Sequence, residues 1–224
     1  MAQHLDLEEQ EQLDQLKHFW KRWGDLISWG LIIVFGSYAA WNGYQYWQRS
    51  QAAKAGVLFE EIERAAQAKE LTRLEQALTD IRASFGSTAY AQRAALIAAA
   101  AYAEQSQSEK ALAALTWVVD KASDEGLQAV ARLRLAGLLA DDQKFDQALQ
   151  QLVAKVPAEF APLVADRRAD ILMLQGKPAE AKAEYLKAYQ AMPATHDYRK
   201  LIEFKLNGLG VDPAVTAPAP ATAS

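Results

Sequence analysis

The 224 residues contain no cysteine. That excludes disulfides, thiolate nucleophiles and cysteine-ligated metal together, and it suits an oxidising compartment such as a bacterial periplasm. Histidine is nearly as scarce. His4, His18 and His196 stand far apart, and no two share a helical turn, so a metal site lacks ligands. Missing too are GxGxxG, GxxxxGK[ST], GxSxG and HExxH. Acid pairs such as Glu60-Glu61 and Asp141-Asp142 read as solvated faces or turns rather than paired catalytic carboxylates. The expectation is a protein that is not an enzyme, with no catalytic residues, no cofactor and no metal.

Charge of one sign is lacking as well. The net charge is -4, and residues 1–25 account for most of it: Asp6, Glu8, Glu9, Glu11, Asp14 and Asp25 against Lys17, Lys21 and Arg22. The remainder is close to neutral and carries no basic stripe, so nucleic acid is not an expected partner. With hydrophobic residues at 51% and charged residues at 23%, the chain has the ordinary mix of a folded protein.

One stretch lacks charge of either sign. Between Asp25 and Arg49 run 23 uncharged residues, Leu26 to Gln48. As a helix they reach roughly 34 Å, enough for a hydrocarbon core of about 30 Å. Trp20, Trp23 and Trp29 cluster at one end, and Trp41, Tyr44, Tyr46 and Trp47 at the other. These are residues that favour headgroup regions, and Trp20, Trp23 and Trp47 are the expected membrane-interface anchors. Two other readings compete. One is a buried core helix, because Ser28, Ser37, Asn42 and Gln45 dilute the second half; the other is a cleaved signal peptide with a poor site at Ser37-Tyr38-Ala39. A soluble helix would normally show a charged face, and the acidic lead is unusual for a signal peptide. A single transmembrane helix is the preferred reading. Lys17, Lys21 and Arg22 before it outnumber Arg49 and Lys54 after it, which favours a cytoplasmic N-terminus and a periplasmic C-terminal domain. Gly36 and Ala40 form a small-xxx-small pair of the kind that packs against another membrane helix.

Beyond the span, Val57, Leu58, Ile62 and Ala65 continue a helical pattern without a break. Sustained period-two alternation is absent and β-branched residues are sparse, so the fold class is all-α. Breakers at Phe85-Gly86-Ser87, Ser106-Gln107-Ser108, Asp124-Glu125-Gly126, Pro157, Gln175-Gly176-Lys177-Pro178 and Pro193 divide the rest into helices of 12 to 18 residues.

These helices repeat. Ala169, Gly176, Ala181, Tyr185, Ala188 and Pro193 follow the spacing of a tetratricopeptide unit. Ala136, Phe145, Ala148 and Leu152 hold equivalent places one unit earlier, and Ala99, Tyr102, Ala111 and Leu115 one earlier still. The segment Leu71 to Ile81 resembles a degenerate earlier helix. Ala111, Ala148, Ala169, Ala181, Tyr185 and Ala188 are thus expected to pack helix against helix, leaving the concave face for function. The pair Arg167-Arg168 could grip a carboxylate or a partner loop, or be plain surface.

The expected domains are an acidic cytoplasmic tail with a basic-aromatic preamble over 1–25, a transmembrane helix over 26–48 and a periplasmic repeat domain over 49–208. A disordered Pro/Ala-rich tail is expected over 209–224. An acidic tail, one N-terminal span running into helix, and tetratricopeptide-like repeats form a combination that resembles the ancillary subunits of the Sec translocon, the YfgM-like inner-membrane proteins of Gram-negative bacteria. LDLEEQEQLDQLKHFWKRWGDLISWGLIIV is similar to that family's start, and Ala94 to Pro193 to its periplasmic domain. The resemblance implies a protein-interaction module beside the translocon, with Sec subunits, periplasmic chaperones and unfolded clients as partners, and no catalytic residues. An assembly or regulatory factor for another envelope complex, such as respiratory or cytochrome maturation machinery, fits the same scaffold.

Overall fold

The computed structural model describes residues 7–213. His4, the first six residues of the acidic tail and residues 214–224 of the Pro/Ala tail lie outside the described residues. The chain divides into two compact units between Gln51 and Ala52.

One helix, α1 (Leu7–Gln67), supplies nearly all that is described of the first unit and the opening of the second. Nothing in its sequence stops it: the first proline of the chain is Pro157. In the first unit its large apolar side chains are uncovered, with Ile33 at 64% and Phe35 at 66% exposure. Only 6% of its most apolar stretch is buried. That rules out the reading as a core helix. The helix is long and apolar enough to cross a membrane.

In the second unit, residues 52–67 of α1 bury Ala55, Ile62 and Ala65 against α2 (Leu71–Phe85) and α3 (Ala89–Glu104). There follow α4 (Ser108–Lys121), α5 (Glu125–Asp141), α6 (Phe145–Gln151), a 3-10 turn (Ala158–Phe160), α7 (Ala161–Leu174), α8 (Pro178–Ala191) and α9 (Tyr198–Gly208). From α2 onward successive helices pack against one another, and among the first helices of the pairs α3 touches α5 and α5 touches α7. The fold is an all-α tetratricopeptide-like repeat with no strand among the described residues.

The repeat is set by a turn as much as by packing. Lys69, Ser106, Gln143 and Gly176 all adopt positive φ, between 59° and 71°. After each, the next amide reaches back five residues: Glu70 to the Ala65 carbonyl, Gln107 to Tyr102, Lys144 to Leu139 and Lys177 to Leu172, all at 2.8–2.9 Å. This is the left-handed cap that closes one helix and releases the next at a fixed angle. Gly210 (φ 72°) repeats it, with Val211 N–H donating to the Leu206 carbonyl at 3.0 Å, so α9 ends as the first helix of a further unit would.

Measured from that turn, the residues at the crossing of each pair are Ile62 with Leu74, Ala99 with Ala111, Ala136 with Ala148, and Ala169 with Ala181. All eight are essentially inaccessible to solvent. The segment read as a degenerate helix is therefore the second half of a complete unit, whose first half is the end of α1. Two further expectations change. Helix α6 has seven residues, short of the 12 to 18 expected, and it ends at Gln151, six positions before Pro157. Tight i→i−3 bonds from Leu152 and Val153 close it there. At the other end, Val211 is buried in the C-terminal cluster with Ile202 and Leu206, and Pro213 is fully buried, so residues 209–213 belong to the folded unit.

A candidate interaction groove

Because α3 packs on α5 and α5 on α7, these first helices share one wall. It encloses an open groove of about 260 Å³, lined by Ala99, Ala100 and Ala103 of α3, Leu115 of α4, Arg134, Gly137, Leu138 and Asp141 of α5, and Arg167 of α7. The floor is small and apolar because the residues that let helices approach, Ala99 and Ala136, are followed by Ala100 and Gly137 on the exposed side of the same turn. Charge sits only on α5 and α7.

The two arginines occupy one repeat position, two residues before Ala136 and Ala169 respectively. Each reaches toward the unit before its own. Arg134 Nη1 donates to the Leu96 carbonyl at 3.1 Å. Arg167 lies across Gly137, where an added Cβ would stand 3.5 Å from its Nη1. Arg168, one residue and about 100° further round the helix, does something else. It donates to the Leu152 carbonyl at 3.0 Å and pairs with Glu184, locking α7 and α8 to the preceding unit. The Arg167-Arg168 pair is thus divided, with one arginine structural and one lining the groove.

At the C-terminal end, where Asp170 takes the place held by Ala100 and Gly137, a half-buried polar lock joins α7, α8 and α9. Lys205 Nζ donates to both oxygens of Asp166 at 2.8 and 2.9 Å and to Asp170 Oδ1 at 2.7 Å. Tyr185 donates to Asp170 Oδ1 at 2.6 Å and Tyr198 to Asp166 Oδ2 at 2.7 Å. Burial first, and the carboxylate acceptors second, hold both phenols far above their usual pKa, so they remain neutral donors. Tyr185 is therefore both an inter-helix spacer and a member of this lock.

The remaining residues singled out from sequence fall as follows. Ala111, Ala148, Ala169, Ala181 and Ala188 are buried between helices. Trp20, Trp23 and Trp47 are exposed on α1, with Trp47 stacked on Tyr44 at 6.1 Å and Trp20 lying over Gly24. His18 lies on α1 and His196 in the turn before α9, where its Nδ1 accepts from the Tyr198 amide at 3.4 Å. Among the described residues no three His, Asp or Glu side chains come together as a metal site. Arg134 and Gly137 escape a reading of the sequence alone. Their signal is the recurrence of arginine after 33 residues, visible only once the packing alanines are aligned.

The family model of the tetratricopeptide repeat-like domain matches residues 17–211, from the start of the apolar helix to the last turn. A protein of Neisseria gonorrhoeae is 33% identical over 93% of this chain and 100% of its own length, and is named an ancillary SecYEG translocon subunit. The chain belongs to that family. Proteins with the same name from Haemophilus influenzae and Escherichia coli are 27% and 25% identical, each over 91% of this chain and 98% and 97% of their own. The match thus runs from Lys17 to Val211, through the apolar helix and all the repeats.

Proposed function

We propose that this chain is a membrane-anchored protein-interaction module, ancillary to the Sec translocon, that links emerging or translocated proteins to periplasmic chaperones. The name shared by its relatives supports association with the translocon. Those relatives and the apolar N-terminal helix point together to an inner-membrane protein. The observation that carries the reading is the groove: a small-residue floor open to solvent, built on a repeat fold of the kind that offers a surface for polypeptide. The excess of Lys17, Lys21 and Arg22 over Arg49 and Lys54 supports a cytoplasmic N-terminus and a periplasmic repeat domain. Trp20, Trp23 and Trp47 would sit at the two headgroup regions.

Co-purification in mild detergent tests the association. Recovery of Sec subunits above that of an unrelated single-span protein is expected; recovery at the same level would remove the translocon from the reading. Protease added to spheroplasts tests orientation. The repeat domain should be degraded, and its full protection would reverse the topology.

A further inference from the structure

The groove is not neutral, and its charges are uncommitted. Arg167 makes no hydrogen bond or ion pair among the described residues, and Arg134 has one contact, to a carbonyl. Several other cations of the repeat domain are engaged by acids: Arg73 with Glu61, Lys110 with Glu75, Arg168 with Glu184, and Lys205 with Asp166 and Asp170. An arginine laid over a glycine with its donors unused presents a planar fork suited to a carboxylate. In the nearby lock both oxygens of Asp166 and one of Asp170 are taken by Lys205 and the two phenols, and neither carboxylate forms an ion pair with Arg134 or Arg167 among the described residues.

Asp141 supplies the opposite pole. It lies seven residues after Arg134 on the same face of α5, about 10 Å along the helix, with Gly137 and Leu138 between them. It forms no ion pair with either arginine. The floor between the poles has no side chain larger than leucine, which lets a backbone approach closely.

We infer that the groove selects an extended polypeptide segment by an acidic side chain, received by Arg134 and Arg167, and that Asp141 disfavours a second acid about three residues away. The inference rests on the reading of the groove as a polypeptide-binding face and adds the chemistry of what it accepts.

The test uses the full chain in detergent micelles and two short fluorescent peptides of alanine, leucine and serine, one with a central Glu and the other with Gln. Fluorescence anisotropy should give about tenfold tighter binding of the Glu peptide, the ratio expected of one added charge-assisted contact. Arg167→Gln should bring the ratio close to one. Since Arg167 bonds to nothing described, helicity by circular dichroism should be unchanged. Asp141→Asn should strengthen binding of a peptide with two Glu three residues apart, a gain that a merely structural residue would not produce. Equal binding of the Glu and Gln peptides, with both lost in Ala100→Trp, would overturn the charge inference and leave the groove standing. Binding to neither peptide, or binding indifferent to Ala100→Trp, would overturn both.

Discussion

Helix α1 carries the same kinds of side chain into two different surroundings. Ile33, in the first unit, is 64% exposed, whereas Ile62, in the second, has no accessible surface. The backbone conformation is the same and the residue is the same; the solvent differs. The uncharged run suits a medium in which no side chain need be hidden, because lipid is as apolar as isoleucine. After Ala52 the pattern changes to one apolar stripe with Glu60, Glu61 and Arg64 outside it, which suits water on one side and protein on the other. One helix thus contains both an uncharged apolar run and the first half of a repeat, and only the distribution of charge marks the change.

The comparison can be strained at several points. The largest effect is expected at the lock. Lys205→Met would leave Asp166 and Asp170 without their counterion and cost the repeat domain about 3–5 kcal/mol, read by denaturant unfolding of the full chain in detergent. A loss below about 1 kcal/mol would mean the lock is solvated. Next comes the same substitution made on either side of the divide. Ile62→Ala should cost about 2–4 kcal/mol through lost burial and a cavity, whereas Ile33→Ala should leave repeat-domain unfolding unchanged. Equal effects would erase the distinction between the two halves of α1. Val34→Arg places a charge in the uncharged run at about 3 kcal/mol of insertion free energy. Membrane fractionation should then show partial release, while thermal unfolding of the repeat domain stays as before.

Smaller effects belong to the turns and to pH. Gln143 holds φ 60° at a cost that glycine does not carry, so Gln143→Gly should stabilise by up to about 1 kcal/mol. Gly176→Ala, at φ 71°, should destabilise by a similar amount. Tyr185 and Tyr198 have folded pKa values raised above their unfolded value of about 10. Their contribution is complete below pH 10 and declines as pH rises above it, because the unfolded chain releases phenolic protons that the folded chain keeps. Unfolding midpoints should fall between pH 10 and 11, less so in Tyr198→Phe.

What could be read beforehand follows the same divide. The long apolar helix was legible because an absence of charge over 23 residues needs no partner to interpret. The later repeats were legible where alanine marks the crossing, as at Ala148 and Ala181. The first unit was hidden because Ile62 and Leu74 take those places and its first helix is the end of the long apolar helix. The turns were hidden because only one of the four between paired helices uses glycine, Lys69, Ser106 and Gln143 entering the left-handed region instead. The folded stretch from Leu209 to Pro213 looked like tail because its burial depends on a turn at Gly210 that mimics the earlier ones. Of the groove, Arg167 was visible only as half of a pair. Its separation from Arg168 is a property of helix geometry combined with neighbours 30 residues away in the chain, which local pattern does not contain.

The groove of the repeat domain is proposed to receive polypeptide. The most direct measurement is in vivo photo-crosslinking from a probe placed at Ala100 on the groove floor, set against one at Gln190 on the exposed side of α8. Adducts with exported polypeptides from Ala100 and none above background from Gln190 are the predicted result. Equal adducts from both positions, or none from Ala100, would contradict it.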